Sequence, residues 1–102
     1  MAHFEFAYST IKIIDAKTNM KTSVLDVYDY SDIAGLLQLL NDKVEEVKSD
    51  NCTSMPAEIT VTQTNDEIAN IKEIIFAVEI YNNDLLYKII QLEIGIIENM
   101  LV

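Results

Sequence analysis

The chain has 102 residues, 50% hydrophobic and 24% charged, which suits one compact domain, residues 1–102, and excludes a disordered or collagen-like chain. It carries 17 Asp and Glu against 7 Lys, a formal net charge of -10, so nucleic acid and anionic membranes would repel it. Every cation is a Lys, which excludes the guanidinium fork that grips phosphate or carboxylate through two parallel bonds.

The apolar C-terminal third is interrupted by Glu79, Lys88, Glu93 and Glu98, short of the ~18 uninterrupted residues of a membrane-spanning helix. The start, Met1-Ala2-His3-Phe4-Glu5, has no basic segment followed by an apolar run, and Cys52 stands alone. A cytoplasmic location is the expectation. The absence of Arg and Trp beside abundant Ile and Asn is also what A/T-rich codons produce, as in low-GC bacteria and their mobile elements.

From Phe4 to Ile14 the residues are mostly β-branched or aromatic. Phe4, Phe6 and Tyr8 share one parity and Ile11 and Ile13 the other, which predicts a strand with a bulge near Ser9. Turn-forming residues around Thr18-Asn19 separate it from a second alternating stretch over Ser23 to Tyr30, completing a β-hairpin. Ser31 caps a helix over Asp32 to Lys48, whose Ile33, Leu36, Leu37, Leu40, Val44 and Val47 form one buried stripe. Ser49 to Pro56 reads as a loop, and Glu58 to Thr64 as a third strand.

Two architectures fit the last third. Ile68, Ile71, Ile75, Val78, Leu85, Ile89, Leu92 and Ile96 follow three-four spacing, which predicts one long or two consecutive C-terminal helices. The alternative is a second β-hairpin, Ile74 to Tyr81 and Leu85 to Ile94, around Asn82-Asn83-Asp84. The helical reading matches the spacing better, although Gly95 opposes it. The expected fold class is therefore α+β: an N-terminal hairpin, an amphipathic helix, a third strand, then C-terminal helices packed on a small antiparallel sheet.

Chemistry is sparse. The single His3 and single Cys52 exclude a zinc site within one chain, and Gly35 and Gly95 are too isolated for a phosphate-cradling loop. No cofactor and no catalytic residue is expected. Asp42, Glu45 and Glu46 lie on the outer arc of the helix with Asp50 just beyond it, and carboxylates four apart on a helix sit about 6 Å apart, close to successive phosphates. They also serve as a solvated face that keeps a small domain soluble.

Asp26, Tyr28, Asp29 and Tyr30 interleave acid with aromatic, a pattern suited to docking a basic protein, or to Tyr side chains covering the sheet. A second apolar row on the C-terminal helices, Ile74, Tyr81, Ile90, Ile94, Ile97 and Leu101, offers a homodimer interface. The leading expectation is thus a non-enzymatic inhibitor that occludes a basic, nucleic-acid-binding protein without itself binding nucleic acid. Antagonists of restriction or CRISPR nucleases carried by phages act in this way. The alternative is an assembly module that oligomerises through its C-terminal helices.

Overall fold

Strands dominate the chain. The structure, a computed structural model, describes residues 3–26, 33–65 and 69–99, with side chains over 8–22, 33–63 and 70–97. The elements are β1 (His3–Asp15), β2 (Lys21–Asp26), α1 (Ile33–Val47), β3 (Cys52–Pro56), β4 (Thr60–Asn65), β5 (Ala69–Asn82) and β6 (Leu85–Asn99). All pairings are antiparallel, in the order β2-β1-β6-β5-β3, with β4 also on β5.

β3 and β4 occupy consecutive stretches of one edge of β5, from Cys52 opposite Asn82 to Pro56 opposite Val78, then from Thr60 opposite Ile75 to Asn65 opposite Asn70. Between them residues 57–59 face only Phe76 and Ala77, a bulge held by the Ala57 N–H on the Ala77 carbonyl at 2.9 Å. Pro56 is tolerated there because an edge strand does not need every N–H. The sequence reading of Ser49 to Pro56 as a loop misses β3. Its five residues, Cys-Thr-Ser-Met-Pro, lack the alternating apolar pattern because four are exposed and only Cys52 faces the core.

The expected C-terminal helices are not formed. Residues 69–99 make a long hairpin, β5 on β6, the arrangement held above as the alternative. Asn83 and Asp84 have φ of 49° and 68°, the left-handed pair that a two-residue turn matching strand twist requires and that Asn and Asp tolerate. The three-four spacing misleads because apolar Ile75, Ala77 and Ile89 stand at the parity opposite the core residues Ile80, Ile90, Leu92 and Ile94, which blurs the alternation that Gln91 and Glu93 keep.

α1 links the β2 edge to the β3 edge and so crosses one face of the sheet. Leu36, Leu40 and Val44 pack there on Ile11, Cys52, Ile80, Ile90, Leu92 and Ile94. Ile33 and Leu37, expected on the buried stripe, are instead partly exposed, Leu37 bordering Pro56 and Val78. In β1 the bulge lies between Phe6 and Tyr8, two residues before Ser9, so that Phe6 pairs with Ile96 and Tyr8 with Gly95. Beyond the bulge Tyr8 points away from the face of Ile11 and Ile13.

Asp15 closes the β1–β2 turn, where Asn19 adopts a φ of 58°. Its Oδ1 accepts the backbone N–H groups of Lys17 at 2.9 Å and Thr18 at 3.1 Å, and its Oδ2 accepts Lys88 Nζ at 2.8 Å. The Lys88 ammonium first, then the two amides, hold the carboxyl down at about 2. A carboxyl depressed by folding stabilises the native state above its unfolded value and loses that contribution as pH falls through the folded value. NMR titration of the Asp15 side-chain carbon should therefore show a midpoint near 2, which Lys88→Met raises toward the ordinary range. A native midpoint of about 4 would mean that the ion pair does not form in solution.

Candidate protein-docking surfaces

The outer face of α1 carries Asp42, Glu45 and Glu46, all exposed, and Asp50 is exposed just past the helix end. A helix that buries one stripe must present the opposite arc to water, so the spacing alone places these carboxylates outward. Lysines temper them: Lys43 Nζ lies 2.9 Å from Glu46 and Lys48 Nζ 3.6 Å from Glu45, both at i,i+3. Gln38 donates to Asp42 at 2.9 Å. Four acids against two lysines leave a negative helical face whose two exposed ion pairs contribute little to stability.

Asp26 lies on β2 opposite Thr10, but its side chain, like Tyr28, Asp29 and Tyr30 altogether, lies outside the described residues. The interleaving of acid and aromatic residues does occur elsewhere. On the sheet face away from α1, register aligns Tyr8 with Gly95 and Gly95 with Glu73, and Thr10 with Glu93 and Glu93 with Ile75. The Tyr8 hydroxyl donates to Glu73 Oε2, and this bond, before partial burial, pushes the phenol up to about 12. Lys12 Nζ sits 2.7 Å from Glu93 Oε2 and is the chief cause holding that carboxyl below its ordinary value. Tyr81 donates to Glu79 at 3.3 Å on the same face.

Sequence reasoning misses this cluster because its members are 65 and 81 residues apart in the chain. Gly95, the residue that opposed the helical reading, is the one signal of it: Tyr8 covers the space where its side chain would stand.

The expected homodimer row is divided between the two faces of the sheet. Ile90 and Ile94 are fully buried under α1, and Ile74, opposite Ile94, shares their face. Ile97 and Tyr81 point to the other face by register, and Leu101 lies outside the described residues. Residues that would form one stripe on a helix are divided by a strand between two faces.

The chemical repertoire of these surfaces is narrow. A cavity of about 370 Å³ between the two hairpin turns is bordered by Asp15, Lys17, Leu85, Leu86 and Tyr87. Its carboxylate is ionised and bound to Lys88, which opposes a general-acid role. Among the described residues, no group of three or more His, Cys, Asp or Glu is placed to hold a metal. Cys52 is buried, its sulfur 3.3 Å from Ser49 Oγ, a contact that lowers the thiol pKa. No described helix is long and apolar enough to cross a membrane. Comparison with known protein families, curated proteins and solved structures gives no match.

Proposed function

We infer that the protein is a non-enzymatic binder of a basic protein, and that it acts by occluding a surface its partner uses for nucleic acid. The observation that carries this reading is the outward negative arc of α1, Asp42, Glu45 and Glu46 with Asp50 beyond it, in a chain of net charge -10. Complementary charge accelerates encounter with a positive surface and disfavours nucleic acid as a ligand. Successive carboxylates on the helix approximate phosphate spacing, so a groove shaped for a nucleic-acid backbone is the natural counterpart. Nucleases of host defence, CRISPR nucleases among them, are the class of target.

The test is capture by the immobilised chain, from a low-GC bacterial lysate and from purified Cas nucleases, at salt of about 0.15 M. Capture of a basic nucleic-acid-binding protein that duplex DNA or guide RNA displaces is the expected result. Asp42→Asn, Glu45→Gln and Glu46→Gln together should remove it with circular dichroism unchanged, because all three side chains are exposed. Wild-type capture by the triple variant would sink the reading at this face. The assembly-module alternative rested on C-terminal helices, and residues 69–99 form the β5–β6 hairpin instead.

A further inference from the structure

We propose that the cavity between the two hairpin turns binds a small carboxylate with a compact apolar body, which lies against Leu85, Leu86 and Tyr87 and presents its charge to Lys17. The site is independent of the acidic arc of α1 and of the basic partner inferred above.

The apolar wall is unusual for its place. Hairpin turns are built of Gly, Asn, Asp, Pro and Ser, and Asn83-Asp84 conforms, but Leu85-Leu86-Tyr87 follows at once with exposures of 75%, 38% and 42%. Register shows how they come to stand together. Ile80 pairs with Lys88 and Tyr81 with Leu86, so Tyr87 is an extra residue on β6, a bulge of the kind that re-aims side chains. Single exposed apolar residues need no explanation, whereas a contiguous group of them marks a surface for contact.

The walls are held in place without a ligand. The Ala16 N–H donates to the Tyr87 carbonyl at 3.1 Å, which joins the bulge to the β1–β2 turn, and the Asn83 N–H reaches the Asn51 carbonyl at 3.5 Å. Lys88 Nζ, held by Asp15 at 2.8 Å, stands 5.0 Å from the centre of the Tyr87 ring, a cation–π distance that favours one ring position. The resulting cavity of about 370 Å³ lies at the small end of the range for ligand sites, most of which are formed in advance.

Charge decides the class of ligand. Asp15 borders the cavity, but its carboxylate already accepts Lys88 Nζ and the N–H groups of Lys17 and Thr18. The Lys17 ammonium, by contrast, enters no ion pair among the described residues. Asp84 belongs to the same turn as Asn83 but is not among the residues bordering the cavity. One unmatched cation beside an apolar wall suits an anion with an apolar body. Asn82 and Asn83 also border the cavity, and their amides can donate to a second carboxylate oxygen. A single ammonium balances a carboxylate and leaves a phosphate dianion half-matched. A cationic ligand would meet Lys17 and find Asp15 already matched.

Phenylacetate is the probe, with 2-phenylethanol, phenethylamine and acetate as its uncharged, cationic and bodiless counterparts. Each is added to the full chain at constant ionic strength up to about 20 mM, a range set by the binding energy open to so small a ligand, and amide NMR shifts are followed. Phenylacetate is expected to shift the amides of residues 15–17 and 82–87 saturably, and acetate to leave them in place. 2-Phenylethanol should bind about fivefold more weakly, and phenethylamine more weakly again. Lys17→Met should bring phenylacetate down to the level of 2-phenylethanol without changing the binding of 2-phenylethanol itself, which shows the cavity intact. Leu85→Ser with Leu86→Ser should weaken both about tenfold. No saturable shift at the two turns overturns the proposal, as does equal or tighter binding of phenethylamine. A preference for phenylacetate that survives Lys17→Met overturns the role of that ammonium and with it the ligand class.

Discussion

Ile90→Asp is expected to leave no folded protein under conditions where the native chain is fully folded. Ile90 is completely buried beneath α1, between Ile13 on β1 and Val78 on β5. A carboxylate there loses its hydration with no described cation lined up to replace it. Burying an unpaired charge, or protonating it to avoid that, costs on the order of 5 kcal/mol or more, against a total stability of roughly 5–15 kcal/mol for a domain. Milder truncations should form a graded series, about 0.5–1.5 kcal/mol for Ile90→Val and about 2–5 kcal/mol for Ile90→Ala. Urea unfolding followed by circular dichroism measures the series. Were Ile90 an interface residue on a helix, Ile90→Asp would give a folded monomer with unchanged unfolding midpoint, and that outcome would overturn the sheet core.

Gly95→Ala is expected to destabilise the sheet by about 1–3 kcal/mol, the range for forcing extra volume into a packed site. Gly95 is buried on β6 opposite Tyr8, and a Cβ built there would clash with the Tyr8 ring. The backbone at Gly95 is not left-handed, so the penalty comes from the ring and not from φ. Alanine by itself has no less strand propensity than glycine, so without Tyr8 the substitution should be neutral or slightly favourable. The double variant Tyr8→Ala, Gly95→Ala separates the two causes: its stability should match that of Tyr8→Ala alone. Loss that persists in the double variant would locate the strain elsewhere in β6. Because the displaced ring carries the hydroxyl that Glu73 accepts, Gly95→Ala should also bring the Tyr8 phenol down from about 12, readable by ultraviolet titration.

Where local pattern and burial coincide, the chain is legible without coordinates. The β1–β2 hairpin, α1 over 33–47 and the strand at β4 all follow from spacing and composition, most plainly α1, whose one buried and one wet side make its period visible. The outward carboxylates of α1 follow from the same arithmetic. Turn chemistry is equally local: Asn19, Asn83 and Asp84 take the left-handed conformations that their types permit.

Tertiary structure decided the rest. The Ile-rich stretch at 69–99 buries one face under α1, and Ile75, Ala77 and Ile89 at the opposite parity blur the period by which to choose helix or strand. Ile at i, i+3 and i+4 serves a helix stripe and a two-sided strand alike, and the choice rests on β1, more than fifty residues away, which provides β6 with a partner along nearly its whole length. Gly95 makes the point in one residue. In sequence it is a weak helix position and nothing more, and only the pairing that lays Tyr8 across it explains why no side chain stands there. Composition established early that this is an acidic chain. Which acids stand together on the sheet depended on contacts between residues far apart in the chain, and no local pattern encodes those.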